Sequence, residues 1–239
     1  MVVMVAGSKN LTSDNWPEGQ AVTTAANRVR GQVQPGRAWA EVLIVFMLLE
    51  WVLWTPRGPW HTLLVVAAGA SVLWFTLRSG YSAGELGLRW PSQHGAWLVL
   101  VAGGVGAVAI PLVALATGHP VPANPSWPEA AALWPYPIWA FLQQFLLQSF
   151  FFLRFEAVLG SRRALVANTL LFTVAHLPNL TLTGMTFFGA LFFTEMFRRY
   201  RSIYPLGIAH ALLGIAIAYS FADSVMHHMR VGLGFWTFR

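Results

Sequence analysis

The run Tyr136-Pro-Ile-Trp-Ala-Phe-Leu-Gln143-Gln144-Phe-Leu-Leu-Gln148-Ser149-Phe-Phe-Phe-Leu-Arg154 decides how this chain is read. It is long enough to cross a bilayer, yet it carries three glutamines. At about 100° per residue, Gln143, Gln144 and Gln148 fall within one arc of a helix, and Arg154 returns to that side. A buried amide in hydrocarbon costs several kcal/mol unless it finds a partner. This face therefore looks into protein or a wet cavity.

The rest of the chain supplies six further apolar runs: Ala38–Trp54, Trp60–Leu77, Ala96–Thr117, Ala164–Leu177, Met185–Phe197 and Ile203–Phe221. With 56% hydrophobic and 10% charged residues and a mean hydropathy of +0.55, the 239-residue chain falls outside the soluble class. The expectation is an all-α polytopic membrane helix bundle of about seven transmembrane helices. Residues 1–37 read as a disordered cytoplasmic tail, 38–222 as the membrane domain and 223–239 as a polar C-terminal tail.

The net charge of +6 does not indicate nucleic acid, because the basic residues sit in short clusters between apolar runs. With the N-terminus inside, the inner segments hold eleven Lys and Arg residues from Lys9 to Arg201; the outer ones hold Arg57, Arg230 and Arg239. That bias predicts seven crossings with a cytoplasmic N-terminus; the expected location is that of an integral membrane protein, in a bacterial inner (plasma) membrane. The absence of cysteine excludes disulfides and thiolate chemistry.

Polar residues inside crossings mark function by default. Besides the glutamines, these are Glu41 and Glu50 in the first run, His176 near the end of the fifth and His210 within the seventh. Two histidines facing a polar stripe are suited to activating a water, or to forming part of a zinc site, although zinc uses three or four ligands. Zinc is compatible with the sequence but not required by it. The plain alternative is that the glutamines only join helices, at roughly 0.6–2 kcal/mol per contact. Arg154 reads as snorkelling to the inner interface, and Glu195 as an ion-pair partner of Arg198 and Arg199.

The order of these residues resembles the CPBP (CAAX-processing and bacteriocin-processing, or Abi) membrane proteases, whose motifs are Glu-Glu-x-x-x-Arg, Phe-x-x-x-His and His-x-x-x-Asn on separate helices. Phe172-x-x-x-His176 matches the second. His210-x-x-x-Gly214 matches the third except at glycine. Gln143-Gln144-x-x-x-Gln148 stands in the place of the first, and Glu85-Leu-Gly-Leu-Arg89 is similar to the family's lead-in. A second register, with Arg154 as the motif arginine, puts Ser149 and Phe150 at the glutamate positions.

The resemblance implies a catalytic set of Gln143, Gln144, Gln148, His176 and His210, with His176 and His210 as candidate metal ligands and a membrane or prenylated peptide as substrate. A glutamine cannot act as a carboxylate base, and Gly214 offers no side-chain oxyanion donor; Asn168 or Asn179 is a candidate replacement. Three functions stay open. One is an endopeptidase with an altered site. Another is a catalytically silent relative serving as a membrane scaffold or binding subunit. The last is an enzyme acting on a lipid or isoprenoid.

Overall fold

The computed structural model describes residues 34–119 and 135–237, and all regular structure among them is helical. The expected N-terminal tail lies, up to position 33, outside the described residues. Seven principal helices follow the seven apolar runs: α1 Pro35–Trp54, α2 Pro59–Leu77, α3 Gln93–Ala116, α4 Pro135–Leu159, α5 Ser161–Val174, α6 Leu180–Tyr200 and α7 Tyr204–Ser220. Helices α2, α3, α4 and α6 are long and apolar enough to cross a membrane, and α7 is apolar but shorter. The chain is an integral membrane helix bundle.

The sixth run is longer than its hydropathy suggests. Asn179 accepts a hydrogen bond from the Leu182 amide, so α6 starts at Leu180 and gains a turn across polar residues. Its 21 residues reach about 31 Å, enough to span the hydrocarbon. In α3, the run of small residues lets α7 approach closely. A Cβ at Gly103 would stand 2.6 Å from that of Ala209, too near for any side chain.

Helix α4 lies at the centre, and its windowed burial of 61% is the highest among the candidate spans. It is not uniformly α-helical. Residues Phe145–Phe152 wind as a π-helix, which adds about one residue per turn. The wide turn carries Phe150, Phe151 and Phe152, all buried in the main core.

The C-terminal half of α4 is tied down by charge. Arg154 is 1% exposed and donates to Glu41 at 2.8 Å, while its guanidinium lies 3.6 Å from the centre of the Phe150 ring. Glu41 also accepts from Arg37 at 2.7 Å. Arg154 therefore does not snorkel, because an acidic partner on α1 reaches it inside the bundle. Glu156 pairs with Arg201 at 2.6 Å. Glu195 takes both Arg198 and Arg199, as its spacing implies. The loop between α2 and α3 docks at this same end, where Ser149 donates to the Leu86 carbonyl at 2.6 Å and the Ile203 amide to that of Gly87 at 3.0 Å.

Residues 223–237, expected as part of a polar tail, instead fold back on the opposite end. Two short helices, α8 Asp223–Met226 and α9 Leu233–Thr237, flank a single turn of 3-10 helix. Met226 is fully buried with Leu182, Ala114 and Phe221. Asn179 donates to the carbonyls of Met226 (2.8 Å) and Arg230 (3.2 Å), and the Gly232 amide to that of Leu177. The apolar residues between the histidines and arginines of this segment are what the composition-level reading passed over.

Candidate functional site

One cavity of about 1120 Å³ runs from the α1–α2 turn into the middle of the bundle. Its walls are mostly apolar. Gln143, His176, His210, Tyr136 and Gly214 line its inner part, and Arg57, His61, His228 and Arg230 line it nearer the helix ends. Three parts of the chain thus meet at one space: α4 supplies Tyr136 and Gln143, the turn just after α5 supplies His176, and α7 supplies His210 and Gly214.

The two histidines are held in opposite protonation patterns by their neighbours. His176 Nδ1 lies 2.7 Å from the Phe172 carbonyl oxygen, one turn back in the chain. A carbonyl only accepts, so Nδ1 carries the proton and the neutral ring keeps a lone pair on Nε2. His210 Nδ1 lies 3.0 Å from Gln144 Nε2. Gln148 Nε2 donates to Gln144 Oε1 at 3.3 Å, which leaves the Gln144 amide nitrogen to donate to the ring. His210 Nδ1 is therefore the acceptor, and its proton sits on Nε2. One ring offers a base and the other a donor. The Phe172 and Phe193 rings lie beside them, with centroids 4.5 Å from His176 and 5.4 Å from His210.

The three glutamines do not act as one face. Gln143 lines the cavity; Gln144 and Gln148 are fully buried outside it, behind His210. From Gln148 the chain of contacts continues to Thr194 Oγ1 at 3.5 Å, which accepts in turn from Asn168 Nδ2 at 3.0 Å. The π turn begins directly after Gln144, so the even 100° spacing used on the sequence fails from there on. Of the alternative register, Ser149 and Phe150 are buried away from the cavity. Asn168 is occupied in the network and Asn179 in capping α6 and holding the C-terminal segment, so neither stands as an oxyanion donor. Among the described residues no group of three potential metal-ligating side chains converges. The cavity wall contains no carboxylate among the described residues, and two imidazoles alone fall short of a zinc ligand set.

Tyr136 is the site residue that the sequence did not single out. Its phenol lies directly over the backbone of Gly214. A Cβ on Gly214 would stand 1.7 Å from the phenol oxygen and 2.4 Å from Cζ. The side-chain volume missing at position 214 is filled by a hydroxyl from α4. His210 precedes Gly214 by one helical turn, so ring and phenol share one face of α7. A tyrosine at the start of a crossing reads ordinarily as an interfacial residue; only a glycine where a polar residue was expected hints at it.

Residues 125–216 match the family model described as type II CAAX prenyl endopeptidase Rce1-like. The matched segment contains Tyr136, the glutamine run, His176, His210 and Gly214. No curated protein and no solved structure matches the chain.

Proposed function

We propose, on the premise that residues 125–216 belong to the CPBP family of CAAX-protease type, that the protein hydrolyses membrane peptides at an altered site without a carboxylate base. The observation that carries this reading is the pair of imidazoles on one cavity wall, one with a lone pair on Nε2 and one with a proton there.

In this reading His176 Nε2 removes a proton from a water. The water oxygen bonds to the peptide carbonyl carbon, and the C=O π pair moves onto oxygen. The resulting oxyanion accepts hydrogen bonds from His210 Nε2 and the Tyr136 hydroxyl, which supply the donors that a glycine at 214 does not. On collapse the C–N bond breaks, and the proton on His176 Nε2 passes to the leaving amine. Gln143, on the same wall, orients the peptide or the water. Gln144 and Gln148 act behind the wall, holding the His210 tautomer; glutamine is suited to this because its amide can accept from one neighbour while donating to the other.

The test is hydrolysis of a fluorogenic membrane peptide by the purified protein in bilayers. His176→Ala and His210→Ala should each lower kcat by at least about 10²-fold. Turnover that survives both changes sinks the mechanism. The absence of a carboxylate among the described lining residues favours a second reading, a silent relative that holds an apolar chain in the cavity. Co-purification of a lipid or peptide with no turnover under any condition would select it.

A further inference from the structure

Most of the arginines lie at the end of the bundle opposite the cavity, whose own end carries Arg57 and Arg230. The N-terminus of α1, the C-terminus of α2 and the α2–α3 loop gather at one end, together with the α4–α5 turn and the C-terminus of α6. There the chain places Arg37, Arg78, Arg89, Arg162, Arg163, Arg198, Arg199 and Arg201. Direct contacts bind these parts together: Arg37 donates to the Arg78 carbonyl, Arg154 to Glu41 and Arg201 to Glu156. The ion pairs and the docked loop fill this end, and no residue of these turns lines the cavity.

Every helix that contributes to the cavity does so from its middle or from its other end. The mouth is built from Thr55–Arg57 of the α1–α2 turn, His61 at the start of α2, Ile110 in the last third of α3, and Met229–Val231 with Leu233 of the C-terminal segment. In sequence, the neighbouring segment 118–134 holds no Lys or Arg at all. Loops rich in Lys and Arg stay on the cytoplasmic side of a membrane.

We infer that the cavity opens to the extracytoplasmic side, and that the site takes the extracytoplasmic end of a membrane-embedded peptide. The orientation stands on the arginines and the cavity; the peptide rests on the proposed hydrolysis. A peptide whose reactive carbonyl lies in the cytosol would have to pass the arginine end and its two buried ion pairs to reach His176. One that leaves the outer leaflet meets the mouth directly, and the apolar wall receives the part still in lipid.

The natural chain has no cysteine, so single cysteines report sidedness without background. Gly58→Cys and Thr117→Cys mark the cavity end, Ala83→Cys and Gln93→Cys the arginine end; none alters charge. In intact spheroplasts, a membrane-impermeant maleimide should label the first two at least tenfold faster than the second two, which react only after permeabilisation. The reverse pattern, or equal labelling of both pairs, overturns the orientation. In the same cells, two reporter peptides carry the scissile segment just outside or just inside the membrane, and only the outer one should be cut in a His176-dependent way. Cleavage of the inner one alone overturns the inference but leaves hydrolysis standing. The expected labelling with neither peptide cut removes hydrolysis and the peptide assignment with it, and leaves the orientation.

Discussion

Glycine in the interior of a helix ordinarily gains about 1 kcal/mol on replacement by alanine, and Gly214 should do the opposite. Real Cβ atoms essentially never approach a heavy atom within 3.0 Å, and one at 214 would lie 1.7 Å from the Tyr136 oxygen. The phenol must therefore retreat by more than an ångström. Overpacking of this kind costs about 1–3 kcal/mol, and misplacing a positioned group by ~1 Å costs about 10²-fold in rate. Gly214→Ala should thus destabilise the protein by about 1–3 kcal/mol in detergent unfolding, while lowering kcat in the peptide assay with little change in KM. Tyr136→Ala removes the obstacle. In that background Gly214→Ala should stabilise by about 1 kcal/mol, so the coupling in a double-mutant cycle is about 2–4 kcal/mol. The unfolding arm needs no activity. If Gly214→Ala has the same effect in both backgrounds, the phenol does not occupy the space over Gly214, and the role given to Tyr136 falls with it.

Two further outcomes follow from contacts elsewhere in the bundle. Glu41→Gln leaves the buried Arg154 guanidinium without its counter-charge and should cost about 3–5 kcal/mol, whereas Glu195→Gln, at a partly exposed ion pair, should stay within about 1 kcal/mol; equal losses in chemical unfolding would refute the distinction. Asn179→Ala removes the α6 cap and the two bonds to the C-terminal segment, a loss of about 1–3 kcal/mol. Hydrogen exchange should accelerate in 223–237 and at the start of α6 but not in α4, and unchanged exchange in 223–237 would show that Asn179 does not hold it.

Much of the architecture was legible because apolar length alone marks a crossing. All seven runs became helices, and the turn residues between them fell near the observed ends. Legibility stopped where one side chain depends on another far away in sequence. Arg154 looks like a snorkelling residue until Glu41, on a different helix, is seen beside it. The C-terminal segment looks like a polar tail until Asn179 and Leu177 are found bonding it. At the site, Phe172, His176 and His210 were visible as residues, but the direction of each ring was not. It is set by a backbone carbonyl in one case and by a chain of two amides in the other. Tyr136 escaped because its importance lies in an absence, the missing side chain of Gly214 seventy-eight positions later.

The π turn in α4 separates two requirements that one rigid helix would have had to meet together. Before it, Tyr136 and Gln143 must point into the cavity; after it, Arg154 and Glu156 must reach partners on α1 and beyond α6. The additional residue works as a phase adjuster between the half that does chemistry and the half that anchors. Were the same residues wound as ordinary α-helix, one half would turn by about 100° against the other. The chain would then keep its reactive face or its ion pairs in place, but not both. Spacing between the glutamines and Arg154 is accordingly a quantity under structural control, and comparisons of this segment should allow it to differ by one.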